Sequence, residues 1–529
     1  MPHASGYHDG AVTAFRVTKD SADDPWDIAI GDYGKLIFDS LNPNQIAPFD
    51  GFITPFNSGP HPVGSNNYYA DTSPASDAET VYFRLEGSER CLTALMLDNK
   101  YDLSYPPIVM TQMLDADGFR GYAYQRKFTY FSYGILMGYA ASYVASTKIS
   151  LDLNKLNDYF VTSSLRVSGY TGYYAGPIAV VEALYSDFYT TVYNTGYTIV
   201  WPLPADDTPL PIPSDTVVPG QKFFEISSDR VAIARQGYDI DTATGEQMLI
   251  SSEKGVILVV KQGIVALAAY ANTTISLPAD VVYDDTVFVN LITTPSGAAS
   301  VYYPNLPYES SSNAVYSRAK IIANELYIEN KSSIAVDVRY QLFNFGSNEG
   351  SSAPGSPTDQ IFRTVEQVDG DYIQILKPGS AMPPRIDDIL SDSRMSYAPI
   401  VAEGYWTVPS STGNAGSPEA ARTFEIDLTN AGGWIPMPIF TVIYGNGVIG
   451  GPKAEYMYGG SHAYNGKFNS ETSYVKIEDD KITLHAYPRH PYRLDTALGA
   501  GNNPYVAPQY SSVRRVVGVR YYIFAIPLI

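Results

Sequence analysis

Val519-Arg520-Tyr521-Tyr522-Ile523-Phe524, near the end of the chain, echoes Val338-Arg339-Tyr340-Gln341-Leu342-Phe343 in its middle. Both runs are built from β-branched and aromatic residues, the types that suit a pleated, half-buried surface. Other similarities precede each copy in one order. Residues 256–260 and 372–376 are β-like openings, and 287–292 and 439–444 read as central strands. Tyrosine-rich loops follow, with Tyr302, Tyr303 and Tyr308 in one and Tyr456, Tyr458 and Tyr464 in the other. Residues 326–330 then parallel 475–479 before the closing strand. Repeated order of elements implies repeated topology, so a β unit is expected to occur twice.

Two stretches read as linkers around these units. Residues 201–219 carry Pro202, Pro204, Pro209, Pro211, Pro213 and Pro219, a density that forbids helix and removes the donors of a central strand. Residues 348–360 have the small polar composition of a flexible connector. The chain is therefore expected to divide into an N-terminal β-rich domain (1–200), a middle domain (220–347) and a related C-terminal domain (361–529). The first domain shows an opening strand at Leu36, Ile37 and Phe38, and Ile149, Leu151 and Leu153 alternate with polar residues at the period of two. Helical periodicity is scarce, with a few turns expected at most in 385–395. The fold class expected is all-β: tandem β-sandwich-like domains joined by Pro/Gly-rich linkers, with few short helices.

A chain of 529 residues is too long for one hydrophobic core. Its charged fraction is only 17%, below the usual level of about 25%. Polar residues and 44 tyrosines fill the surface instead. The net charge of -20 repels polyphosphate and anionic lipid, which argues against a nucleic-acid partner. Cys91 is the sole cysteine, so an intrachain disulfide is excluded. Met1 to Tyr7 lacks the pattern of a secretory signal and no long apolar run occurs, so synthesis in the cytoplasm without membrane insertion is expected.

The chemical motifs are weak. Residues 445–450 satisfy the glycine spacing of a dinucleotide fingerprint, but Gly451 and Pro452 follow where a helix N-terminus would have to begin. Asp239, Asp241, Thr244, Gly245 and Glu246 lack the spacing of a calcium loop and read as a hairpin tip. His3, His8, His61, His462, His485 and His490 offer no pair spaced for one metal, no Gly-x-Ser-x-Gly elbow occurs, and Cys91 reads as a small core residue. Fifty-five acidic residues leave a glycosidase carboxylate pair open without locating one. No catalytic, cofactor or metal site is expected, and the protein is not expected to be an enzyme.

Tyrosines among Gly, Ser, Asn and Pro supply rigid amphipathic contact area, so Tyr302, Tyr303, Tyr308, Tyr456, Tyr458 and Tyr464 are the candidate recognition residues. The C-terminal Tyr521, Tyr522, Ile523, Phe524, Ile526 and Leu528 would aggregate unless covered, and are expected to seal a domain or a subunit interface.

Tyr-Gly-Lys-Leu-Ile-Phe-Asp-Ser (33–40) and Val-Arg-Tyr-Tyr-Ile-Phe-Ala-Ile-Pro (519–527) resemble segments of tail-tip and tail-fibre proteins of tailed bacteriophages. The resemblance spans about twenty residues and implies a cofactor-free structural component of the virion tail, made in the bacterial host cytoplasm. It further implies a homo-oligomer, often a trimer in fibres, with other tail proteins as partners. The chain lacks the repetitive stretches of long shafts, so a tail tip or short fibre fits better. An adhesin for a host-surface glycan or protein, and a polysaccharide-degrading tail spike, are the alternatives.

Overall fold

The computed structural model describes residues 3–8, 13–18, 22–28, 32, 35–39, 53–57, 72–75, 78–84, 90–97, 105, 107–114, 117–120, 131–133, 178–184, 195–210, 222–235, 237–243, 247–253, 256–283, 287–303, 317–344, 360–367, 370–410, 422–428, 434–444, 449–450, 473–478, 480–486 and 516–527. They form an all-β fold with a short 3-10 turn at Ile386–Asp388.

The strands fall into three series. The first comprises β1 (His3–His8), β2 (Thr13–Thr18), β3 (Leu36–Asp39), β4 (Ile53–Asn57), β5 (Thr72–Ala75), β6 (Ala78–Arg84), β7 (Arg90–Leu97), β8 (Pro107–Leu114), β9 (Phe131–Tyr133), β10 (Ile178–Leu184) and β11 (Thr195–Pro204). The second comprises β12 (Phe224–Ile226), β13 (Val231–Ala234), β14 (Met248–Ser251), β15 (Leu258–Leu267), β16 (Asn272–Ser276), β17 (Phe288–Pro295), β18 (Val301–Tyr303), β19 (Ser317–Ile322), β20 (Glu325–Asn330) and β21 (Val336–Asn344). The third comprises β22 (Phe362–Gln367), β23 (Gly370–Leu376), β24 (Ile389–Asp392), β25 (Ile400–Thr407), β26 (Arg422–Asp427), β27 (Trp434–Tyr444), β28 (Ile449–Gly450), β29 (Tyr474–Ile477), β30 (Lys481–Ala486) and β31 (Val516–Pro527).

Each series is one unit with one topology. It opens with a three-stranded meander: β1-β2-β3, β12-β13-β14 and β22-β23-β24. The second and third meander strands slip register at the same step, between Val17/Thr18, Ile233/Ala234 and Ile375/Leu376. A sandwich-like pair of sheets follows. One sheet holds the closing strand at its centre, in the orders β4-β11-β8, β15-β21-β17 and β25-β31-β27. The other runs β7-β10-β9, β16-β20-β19 and β26-β30-β29, with β6 and β5 added at the edge of the first. The chain is thus a triplication, where the sequence pointed to a duplication.

The echoed hexapeptides occupy equivalent places in β21 and β31. Phe343 faces Val259 and Leu342 faces Lys261, with the slip at Val260. Phe524 faces Ile400 and Ile523 faces Ala402, with the slip at Val401. A bulge is a built feature that fixes local twist, so its recurrence at one step marks the same strand pair twice.

Alternation explains why these strands are apolar on both faces. In β31, Val519, Tyr521, Ile523 and Ala525 enter the core of the third sandwich, whereas Tyr522, Phe524 and Ile526 enter a different cluster. In β15 and its approach, Val256, Leu258 and Val260 face the second sandwich, and Ile257 and Val259 join the cluster that holds Phe524.

A glycine in the first sandwich strand makes room for each closing tyrosine. Gly263 pairs with Tyr340 and Gly404 with Tyr521. A Cβ on either would lie 2.5 or 2.6 Å from the tyrosine oxygen, and both rings are buried. Gly263→Ala and Gly404→Ala are each expected to lower stability by about 1–3 kcal/mol through overpacking. Urea unfolding reads this; unchanged midpoints in both variants would contradict the packing.

The triplication corrects several sequence assignments. The counterpart of 258–267 is 400–407, whereas 372–376 belongs to a meander, in which a run of similar apolar pattern satisfies a different sheet. Leu326 and Ile328 correspond to Ile482 and Leu484, so 475–479 matches the strand before. Leu36, Ile37 and Phe38 close a meander instead of opening a domain. Trp201 to Pro204 continue β11 in place of starting a linker. The core also crosses the 348–360 stretch, because Leu376, Ile386, Ile389 and Leu390 share one cluster with Leu258, Val338 and Leu342. Ile149, Leu151 and Leu153 lie outside the described residues.

Candidate functional site

Strand pairings and side-chain contacts between described residues join the units at their seams. In each unit the chain leaving the third sandwich strand reaches across to the fourth sandwich strand of another unit. From the second unit, β18 pairs with β29 of the third: Val301, Tyr302 and Tyr303 face Ile477, Lys476 and Val475. From the third, Ile449 and Gly450 of β28 face Tyr133 and Ser132 of β9 in the first. From the first, Arg120 and Ala319 of β19 exchange both backbone hydrogen bonds, at 2.6 and 3.2 Å. The three contacts run first to second, second to third and third to first.

Side chains reinforce each seam. Arg120 is 2% exposed and donates from Nη1 to the Val287 carbonyl at 2.5 Å. Beside it, the Phe119 ring lies under Arg318 at 3.8 Å and Lys320 at 4.3 Å, cation–π geometry that anchors a loop on a neighbouring sheet. Between second and third units, Gln262 Nε2 donates to the Ile526 carbonyl at 3.1 Å. Between third and first, the Tyr522 hydroxyl donates to the Pro204 carbonyl at 2.7 Å and Thr441 Oγ1 to that of Ala205 at 2.5 Å. Arg520 Nε donates to the same Tyr522 oxygen at 2.9 Å, and its Nη2 pairs with Glu403 at 2.5 Å. Burial pushes the Tyr522 phenol well above its ordinary value, so it stays a donor.

All three units meet in one hydrophobic cluster. It gathers Ile108 and Leu203 from the first, Val259, Phe288 and Phe343 from the second, and Ile400, Met437 and Phe524 from the third. Val259 and Ile400, Phe288 and Met437, and Phe343 and Phe524 are equivalent pairs in the strand registers.

A polar cluster ties the third meander to the second sandwich. Asp280 accepts from Arg363 Nη2 at 2.9 Å and from Arg394 Nη2 at 3.1 Å, and Arg394 also pairs with Asp392 at 2.6 Å. Burial raises the Asp280 carboxyl, but hydrogen bonds and charge from Arg394, with Arg363 behind them, hold it below 3.8. Asn344 Nδ2 donates to the Ile386 carbonyl at 2.7 Å in the same junction.

The predicted recognition tyrosines divide. Tyr303 is not a surface residue: it is 8% exposed, sits in the third unit's core and meets Phe440 edge-on at 6.5 Å. Its loop-like composition concealed a strand whose partner lies 172 residues away by number, at Val475. Tyr302 is half-buried against Tyr474 at 5.7 Å, and Tyr474 stacks on His485 at 4.4 Å. Tyr308, Tyr456, Tyr458 and Tyr464 lie outside the described residues, as does Leu528. Tyr521, Tyr522, Ile523, Phe524 and Ile526 are all buried. Arg120, Gln262, Asp280 and Arg394 were missed, because no local pattern distinguishes a buried seam residue from a solvated one.

Burial, then the charge of Lys476, push the His485 imidazole below 6.5. The fold therefore favours the neutral ring. That contribution is complete above pH 6.5 and is lost as pH falls through the lower folded value. The melting temperature of the protein is expected to fall between about pH 7 and pH 5, and to fall less in His485→Gln. Equal losses in both would contradict this.

Among the described residues no group of three or more His, Cys, Asp or Glu side chains is placed to hold a metal ion. Nor does any helix among them have the length and apolarity to cross a membrane. No family model, no curated protein and no solved structure matches the chain.

Proposed function

We propose that the chain is a structural component of a tailed-phage virion, at the tail tip or in a short tail fibre, working through assembly and surface contacts. The observation that carries this reading is the set of three strand pairings that link the units in a cycle. Fibres of the family that the sequence resembles are often trimers, and three related units provide a comparable arrangement within one chain. The Asp280 ion pairs and the carbonyl contacts of Arg120, Gln262, Thr441 and Tyr522 join units, as expected of a part whose work is to hold a shape. Its partners are other tail proteins. Labelling the chain with an antibody and imaging the parent particle by electron microscopy tests the reading: signal on the tail is expected, and particles without label would contradict it.

An adhesin is the second reading, favoured by one observation. Tyr308, and Tyr456, Tyr458 and Tyr464, fall in equivalent connections, after β18 and after β28. Replacing Tyr308, Tyr456 and Tyr458 together would then abolish adsorption of particles to host cells while leaving assembly intact. The same variant adsorbing normally would remove the adhesin reading. Release of reducing sugar from host polysaccharide would instead identify a tail spike.

A further inference from the structure

We infer that the chain closes on itself as a pseudo-trimer, so that one molecule fills the place that three copies of a single-unit protein would fill. The inference does not rest on the virion reading. A head-to-tail contact between like units either runs on as a filament or closes into a ring. Here the contact is head-to-tail at every seam, since the strand-leaving end of one unit always meets the fourth sandwich strand of another. With three units the series returns to its start, through β28 on β9. The hydrogen bonds from Tyr522 to Pro204 and from Thr441 to Ala205 close the same third-to-first seam at a separate place.

The shared cluster argues for a rotation axis independently of the strands. In units the size of a sandwich, several sets of equivalent residues converge on one cluster where the units are arranged around a common axis. Val259 with Ile400, Phe288 with Met437, and Phe343 with Phe524 are three such pairs in one cluster, completed by Ile108 and Leu203 of the first unit. A linear array would instead place equivalent residues one unit apart. Among the described residues, each unit's outgoing segment is taken up by another unit of the same chain instead of by a second copy. The expectation of a homotrimer is thereby changed: the threefold arrangement is internal, and the isolated chain is a monomer.

The seams, not the covalent connections, hold such a ring. The test is a full-length chain with a protease site inserted in 348–360, examined by native mass spectrometry before and after cleavage. Uncut protein is expected as a single copy of 57.9 kDa. After cleavage the two fragments should stay together at that mass and part only in denaturant. Fragments that separate under native conditions, or uncut protein found as three copies, would overturn the inference. If the insertion prevents folding, the same site placed within 211–220 gives a second chain with the same expected result.

Discussion

A chain lacking residues 520–529 is expected to yield no soluble folded protein. The deletion removes most of β31, which lies between β25 and β27, so β25 loses most of its pairing and β27 keeps only its short contact with β28. It also empties two cores at once, because Tyr521 and Ile523 fill the third sandwich while Tyr522, Phe524 and Ile526 fill the shared cluster. Burial of one large apolar side chain is worth about 1.5–3 kcal/mol. Five of them together reach roughly the entire stability of a typical domain, about 5–15 kcal/mol. Solubility on expression and far-ultraviolet circular dichroism read the outcome. A truncated chain with the intact protein's spectrum and melting temperature would contradict the central position of β31.

Asp280→Ala is expected to cost about 3 kcal/mol, since removing one partner of a largely buried ion cluster leaves Arg363 without its carboxylate and Arg394 with Asp392 alone. Arg394 and Arg363 are the groups left behind, with side chains only 9% and 12% exposed. The pH dependence has a definite sign. A carboxyl held below 3.8 in the folded state contributes stability above that value and loses it as pH falls through the folded value. The intact protein should therefore lose stability in the acid range more steeply than the variant. Urea unfolding at neutral pH and in acid measures both effects; a variant as stable as the intact chain at neutral pH would show that the cluster does not tie the third meander to the second sandwich.

The closing strands were legible in the sequence because Val-Arg-Tyr survives in two units, and burial on both faces forces a continuous apolar run that stands out. The first unit's closing strand has Gly196-Tyr197-Thr198 at the matching place, too little to notice without the sheet order. The meanders share backbone register more than side chains. Their third strands keep only a faint common ending, in Phe38-Asp39-Ser40, Ile250-Ser251-Ser252 and Ser391-Asp392-Ser393. Gly263 and Gly404 were a usable signal, since a lone glycine in a strand often marks a close approach. The seams carried none. Tyr303 and Arg120 pair with residues of other units, and such distant pairing imposes no period on the local sequence.

The ring is tested most directly by small-angle X-ray scattering from the purified chain. Three units closed around a shared core should give a radius of gyration near that of a compact 529-residue body, about 24 Å. A radius on the order of 35 Å, as three sandwiches strung in a line would give, would contradict the closed arrangement.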